Sequence, residues 1–386
     1  MTDITQQYKQ HMQELFTYEY HLPDTSLMPM LSVIPAIRNG TTLLTGTYGT
    51  GKTTLIDAYA RRFFVDAGEP SLGRVRCHQE LMDTDTLYAV SFSNPDAPVT
   101  PRALLYKRFR YINELPRSNP AWQNALLSFF SEGEVTFRDQ HFTVPDGINL
   151  CDRNPDDMGQ EGVVRAVLDR MDHEVIIPDN SYRPRISITN TFASPLSTPE
   201  MENIWQAVER MKINATVWDY AHMLNHYFSA CLHPRSISNR LFELPCMDCA
   251  HKAEVCSSLR NTPGQRGLIS MLRLARAFAW WNGASEVSVD DVDRALPFSY
   301  AHRLDFHSEV FREWPNPQEY LRQHIIGGHI AAKREKWLEA IQAKLDKDHE
   351  RILSIAGAAD DLVIAWLYTK CVNQGHTETR KEGEGL

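Results

Sequence analysis

The chain contains no apolar run of about 18 residues, so nothing in it predicts a membrane-spanning helix. It has no basic excess either: 40 Lys and Arg stand against 49 Asp and Glu, a formal charge of −9. Bulk charge therefore gives no support to nucleic-acid binding, although a local basic face stays open. A disulfide framework is excluded in its ordinary form, because the seven cysteines are an odd count and three of them cluster. That usage fits a reducing cytosol with a metal site better than a stapled scaffold. The polar start Met1-Thr2-Asp3-Ile4-Thr5-Gln6-Gln7 shows no signal-peptide core, so a cytoplasmic location is expected. Internal repeats and low-complexity tracts are lacking too, which argues against a solenoid or a tail-dominated chain.

What is present is ordinary globular composition, 42% hydrophobic and 23% charged over 386 residues. At roughly 150 residues per domain, this length suggests two domains or three. A chain of this size buries a full core unaided.

Texture changes along the chain. Residues 5–22 predict a helix, and Asn39-Gly40 is a turn signal. Thr41 to Thr45 reads as a short strand and Thr54 to Phe64 as a helix. Further strands are expected at Phe109–Ile112, Gly147–Leu150 and Asp172–Pro178, a helix at Trp122–Phe130, and a hairpin from Glu134–Phe137 and His141–Val144. This alternation predicts an α/β core over 1–180. Residues 181–199 are rich in Pro, Ser, Thr and Asn and read as a linker. From Glu200 the patterns are helical, giving a helical segment to about 305 and a helical extension over 306–386. Only the last ten residues, Thr377 to Leu386, read as a disordered tail.

The strongest motif follows the first strand. Gly46-Thr47-Tyr48-Gly49-Thr50-Gly51-Lys52-Thr53 matches G-x-x-x-x-G-K-[ST], and Thr54 continues it into the helix. Glycines let backbone N–H groups point inward around phosphate oxygens without Cβ clashes. Lys52 brings a point charge to the β- and γ-phosphates, the Thr53 hydroxyl can ligate Mg²⁺, and the helix offers its positive end. Such a site also needs one carboxylate for Mg²⁺ and another to polarise the attacking water. In Arg110-Tyr111-Ile112-Asn113-Glu114, Asn113 stands where an Asp is expected and Glu114 follows as the candidate general base.

A second cluster is Cys246-Met247-Asp248-Cys249 with His251 and Cys256. Two cysteines at this spacing with a third nearby suit a structural Zn²⁺. The fourth ligand is open among His251, Cys231 and His233, and His251 is cramped against Cys249. Reduced thiols in a partly buried loop, or a redox pair, are the competing readings.

Several other features read as structural. Trp280 and Trp281 lie at the end of an amphipathic helix, where aromatic residues usually belong to the core. Ser288 and Asp291 have the spacing of a helix cap, and His302-Arg303 follow Pro297. Residues 331–351 form a charged helix with i,i+4 pairing potential and a solvated face.

The segments GTYGTGKTTL (46–55), YINELPRSNPAWQNALLSFFSEGEVTF (111–137), NLCDRNPD (149–156), VVRAVLDRMD (163–172) and QRGLISMLRLARAFAWWNG (265–283) together resemble the MoxR group of AAA+ ATPases over roughly 30–305. The resemblance implies a P-loop AAA+ core, a parallel sheet flanked by helices, with a helical lid. It implies ATP and Mg²⁺ as cofactors and ring assembly, hexameric in the family. It also implies a partner with a von Willebrand factor A domain and a client complex remodelled or matured by ATP. By position, Asn154 corresponds to the sensor-1 residue and Arg170 to the arginine finger acting on a neighbouring subunit, with Arg165 the runner-up. Arg266 corresponds to the sensor-2 arginine. Two departures stand out. Asn113 replaces the usual Asp, which predicts slower hydrolysis. Thr262-Pro263-Gly264-Gln265-Arg266 stretches the family's Ser-Pro-Arg by two residues. The rival readings are a nucleic-acid motor of a defence system, using the basic run Arg102, Lys107, Arg108 and Arg110, and an ATP-dependent assembly switch with impaired hydrolysis.

Overall fold

A computed structural model describes the chain apart from residues 1–2, 23–24, 92–98, 138–139, 157–161, 179–182, 185–192, 231–253, 356, 359 and 384–386. Contacts divide it into two compact units. The first is Met1–Met211 with Arg276–Ser285, and the second is Lys212–Ala275 with Glu286–Leu386.

The first unit is built on a five-stranded parallel sheet: β1 (Thr41–Thr45), β2 (Leu72–Arg76), β3 (Phe109–Asn113), β4 (Ile148–Arg153) and β5 (His173–Ile176). Their order is β5-β1-β4-β3-β2. The first strand places its two flanking neighbours in register through Thr42, which pairs with Leu150 on one side and His173 on the other. All five residues of β1 are buried, as expected for a central parallel strand covered on both faces. One face is filled by Leu43, Val75, Ile112, Leu115, Trp122, Leu126, Phe129 and Cys151. Burying each large apolar side chain contributes about 1.5–3 kcal/mol. Asn39, in the expected turn, adopts φ +53°, which Asn tolerates better than most residues.

The helices of this unit include α1 (Asp3–Glu14), α2 (Lys52–Ala60), α3 (Pro120–Glu132) and α4 (Arg165–Arg170). The start of α3 is written in the sequence: Asn119 Oδ1 accepts the Trp122 N–H at 2.9 Å and Pro120 occupies the first turn. Gly133 ends it at φ +64°. The expected hairpin comes next, Glu134–Phe137 pairing with Gln140–Thr143.

Two differences from the sequence reading have physical causes. The N-terminal helix stops at Glu14, turns as a π-helix over Leu15–Glu19, and leaves Tyr20–His21 extended against Arg183–Pro184. Buried Tyr20 has its hydroxyl on the Thr50 carbonyl at 3.1 Å, a long-range contact that local propensity does not encode. Helix α5 (Thr198–Glu209) packs within the first unit: Trp205 Nε1 donates to the Pro35 carbonyl at 3.1 Å and its ring meets Phe64. Trp280 is buried on Tyr8, ring centroids 5.3 Å apart.

The second unit is helical: α6 (Ala215–Tyr227), α8 (Val289–Tyr300), α9 (Ala331–Leu345) and α10 (Leu362–Gly383), with Gln265–Ala275 supplying the first part of α7 (Gln265–Asn282). Trp337 of α9 is fully buried against Tyr220 and Tyr227. The charges of α9 join other elements rather than their own helix: Lys344 to Asp219, Lys333 to Glu254, and Arg334 to Asp290 and Asp293. Helix α10 carries helical backbone to Gly383, into the tail that composition marks as disordered. No helix among the described residues is long and apolar enough to cross a membrane.

Candidate active site

The glycine-rich loop lies between the end of β1 and α2. Gly49 and Gly51 adopt φ +79° and +81°, backbone that side chains rarely take, and Gly51 caps α2. At Gly46 the constraint is space: a Cβ there would stand 2.9 Å from the Ile177 carbonyl oxygen and 3.0 Å from Thr50 Oγ1.

Lys52 is buried and folds back on the loop. Its Nζ donates to the Gly46 carbonyl at 2.6 Å and the Thr47 carbonyl at 2.9 Å. Burial lowers its pKa, while Asp152 and Glu114 draw it back up. The ammonium therefore lies in the field of two carboxylates.

Around the loop is an open cavity of about 400 Å³ lined by Tyr48, Gly49, Thr50, Gly51, Lys52, Thr53, Thr54, Arg76, Asn113, Glu114, Asp152 and Asn154. That is within the usual size range for a small-molecule site. It gathers the loop, the acid pair and the sensor position that the sequence reading singled out. Asn154, one residue past β4, accepts the Asp156 N–H at 3.1 Å.

Glu114 sits just beyond β3 with φ +58° and ψ +47°. A left-handed non-glycine residue costs about 1–2 kcal/mol, so the surroundings must hold it. They do so through Asp152 Oδ1, which accepts the Glu114 N–H at 2.6 Å. The Glu114 carboxylate meets Arg117 at 3.3 Å and Arg76 at 3.4 Å.

Asp152 is the residue the sequence reading passed over. It is only 4% exposed. Burial raises its pKa, opposed by the hydrogen bonds from Glu114 N and Asn113 and by the charge of Lys52. Asn113 Nδ2 reaches both carboxylate oxygens, at 3.1 and 3.3 Å, and the Tyr111 hydroxyl at 2.6 Å. Tyr111 in turn lies 3.4 Å from Thr53 Oγ1. The available signal was alternation: Asp152 and Asn154 are two residues apart on one strand end, hence on one face. Arg76 and Arg117 had no sequence signal beyond their positions next to strand ends.

The remaining expected residues lie elsewhere. Arg170, at the end of α4, is half-buried, with Nε on Ser131 Oγ at 2.6 Å and Nη1 on the Ala166 carbonyl at 3.1 Å. It does not line the cavity of its own chain. Arg165 is exposed at the start of the same helix. Arg266 is exposed in the first turn of α7, within the second unit. Cys246, Cys249, His251, Cys231 and His233 lie outside the described residues, and Cys256 is buried in the turn Val255–Ser258. Among the described residues no group of three or more His, Cys, Asp or Glu is placed to hold a metal ion. The basic run is not a continuous cationic face. Arg110 is 2% exposed and bonded to Asn149 and the Pro145 carbonyl, Arg108 bonds the Asp146 carbonyl and Glu202, and Arg102 bonds the Thr84 carbonyl.

The donor set fits Mg²⁺ and a nucleoside triphosphate. A hydroxyl, an amide, the buried Asp152 carboxylate and the half-buried Glu114 carboxylate suit a hard cation that keeps most of its waters. A glycine loop with a lysine at a helix start suits phosphates.

Comparison with known proteins agrees. Residues 41–171 match the AAA domain of the dynein-related subfamily, and residues 257–323 match the AAA lid domain. The chain is 25% identical over 291 residues to Protein MoxR of Paracoccus denitrificans, covering 71% of this chain and 82% of that protein. It is 22% identical over 314 residues to the uncharacterized protein YeaC of Bacillus subtilis, covering 79% and 90%. A crystal structure from Cytophaga hutchinsonii, described as a candidate ATPase, shares the fold at a TM-score of 0.62 and 17% identity, over 83% of this chain and 94% of that one. With the AAA core and lid both matched and a MoxR relative aligned along most of its length, the chain is a MoxR-like AAA+ ATPase.

Proposed function

We propose that this protein couples ATP binding and hydrolysis to the remodelling or maturation of a client protein complex, working as a ring, hexameric as in the family it resembles. The observation that carries the reading is the single cavity shared by Lys52, Thr53, Asn113, Glu114, Asp152 and Asn154. Lys52 would exchange the Gly46 and Thr47 carbonyls for β- and γ-phosphate oxygens. Glu114, held at the strand end, would accept the proton of the attacking water, with Asn154 orienting that water. Thr53 and Asn113 would hold Mg²⁺ and its waters; when bound, the ion supplies positive charge to the phosphate oxygens.

Arg170 sits away from its own cavity, which suits a finger offered to a neighbouring subunit. Arg266 is proposed as the sensor-2 arginine from the MoxR resemblance alone. Cations placed on the γ-phosphoryl oxygens lower the barrier because negative charge is spread over them. A partner with a von Willebrand factor A domain is proposed from the MoxR resemblance alone. Pull-downs that repeatedly recover no such protein would count against it. A structural Zn²⁺ on Cys246, Cys249 and Cys256 is a further proposal, tested by elemental analysis of purified protein.

The deciding experiment is steady-state ATPase rate per subunit against protein concentration, with Glu114→Gln as control. A rate that rises with concentration and vanishes in the variant supports a ring with Glu114 as base. ATP-dependent assembly without turnover supports a nucleotide switch instead.

A further inference from the structure

Asn113 poses a problem of charge. A P-loop site ordinarily places a carboxylate at this strand end, where it accepts hydrogen bonds from waters on Mg²⁺. An amide can accept such a bond but brings no negative charge.

The structure places a carboxylate one strand away. Strands β3 and β4 run parallel, with Ile112 paired to Cys151 as the last step of their ladder. One residue further along each strand, Asn113 and Asp152 meet side by side. Asn113 Nδ2 spends its two hydrogens on Tyr111 and on Asp152, so the amide has only Oδ1 to offer any other group. An amide polarised through its N–H by a carboxylate is a stronger acceptor at its oxygen, because hydrogen bonds in series reinforce one another in a low-dielectric site. The series continues from Tyr111 to the Thr53 hydroxyl, 3.4 Å away. Asp152 also lines the nucleotide cavity itself, despite its burial. The carboxylate has the capacity for this, since its two oxygens offer about four acceptor positions.

We infer that Asp152 is the positioning carboxylate of the Mg²⁺ site, supplying from β4 the negative charge that Asn113 lacks on β3. The inference rests on reading this cavity as a Mg²⁺–ATP site. It places the charge at the same corner of the cavity by a different strand. It also gives Asp152 a second duty, since the same carboxylate fixes the left-handed backbone of Glu114. One buried acid thus couples the metal side of the site to the general base.

The test uses the full chain and a fluorescent, non-hydrolysable ATP analogue, with binding measured in EDTA and across a Mg²⁺ titration. Asp152→Asn keeps the shape and an acceptor for the Glu114 N–H but removes the charge. It is expected to raise the half-saturating Mg²⁺ concentration roughly tenfold, with affinity in EDTA equal or tighter because a carboxylate near the phosphates is gone. The charge-swapped double variant, Asn113→Asp with Asp152→Asn, should return to within about threefold of wild type. Unchanged Mg²⁺ dependence in Asp152→Asn overturns the inference. So does an equal loss of affinity in EDTA and in Mg²⁺, or a double variant that fails to recover, because either outcome marks Asp152 as merely structural. A wild type that binds no analogue under either condition overturns the ATP-site reading itself, and the inference with it.

Discussion

Arg117 holds the carboxylate of Glu114 at 3.3 Å, three residues ahead of it along the chain. The same guanidinium donates to the Tyr48 hydroxyl at 2.8 Å, so it bridges the candidate general base and the nucleotide loop. Both partners are half-buried, and a single pair of this kind adds only on the order of 1 kcal/mol to stability. Its effect should instead fall on where the Glu114 carboxylate points. Arg117→Ala is expected to lower kcat roughly three- to tenfold, with nucleotide affinity and Tm nearly unchanged. A variant that loses affinity in proportion to rate would place Arg117 on the nucleotide and not on Glu114.

Lys52 also braces the loop that carries it. Its ammonium ties the Gly46 and Thr47 carbonyls, and both lose a charged donor if the side chain is cut back. Lys52→Ala should therefore weaken ATP binding at least about tenfold and also lower the Tm of the nucleotide-free protein by roughly 2–4 °C. Calorimetry without nucleotide separates the two effects. An unshifted Tm would mean that the burial penalty on the ammonium cancels its hydrogen bonds.

Much of this was legible in the sequence because its signals are local. The glycine-rich loop is spelled by eight consecutive residues and does not depend on tertiary context. Asn119, Pro120 and Gly133 bracket α3 by capping chemistry alone, and Ser288 with Asp291 does the same for α8, through bonds of 2.9 and 3.2 Å. What was not legible depended on residues far apart in the chain. Asp152 became visible only when β4 was set beside β3, 39 residues away, because no local pattern tells one strand-end acid from another. The charged helix α9 misled for the same reason. Its spacing suits i,i+4 pairs, yet Lys333, Arg334 and Lys344 reach acids on other elements of the second unit, where partial burial makes the pairing worth more than at the surface. The basic run near Arg110 looked more cationic than it is because composition counts charges without showing that one of them, on β3, is buried.

The second unit should carry a pH-dependent stability signature. Asp293 of α8 is buried, and that burial pushes its carboxyl up to about 6, against the pull of the Tyr220 hydroxyl at 2.7 Å and of Arg334. Asp290 nearby adds to the rise. A raised acid favours the folded state in its protonated form. That contribution is complete below the ordinary Asp value of 3.8 and is lost as pH climbs through about 6. The difference is about 2 pK units, on the order of 3 kcal/mol. Asp293→Asn removes the titration and keeps an acceptor for Tyr220. The stability of wild type relative to this variant should fall between pH 4 and pH 7 and level off above. A gap that stays constant across that range would show that Arg334 compensates the buried charge in full.

If the ring reading is right, the catalytic parts of one site come from two chains, and two defective variants can mend each other. Glu114→Gln lacks the base but keeps Arg170. Arg170→Ala lacks the finger but keeps Glu114, and among the described residues loses its bonds to Ser131 and the Ala166 carbonyl. Each alone should bind ATP and fail to turn it over. Mixed in equal amounts under assembly conditions, they create interfaces that pair an intact Glu114 with an intact Arg170. Random assembly makes these roughly a quarter of all sites, so the mixture should recover about a quarter of the wild-type rate. Recovery must also rise with protein concentration, because a finger supplied in trans acts only after assembly. A mixture as inactive as its components, at concentrations where both assemble, would remove Arg170 from the neighbour's site and shift attention to Arg165 on the same helix.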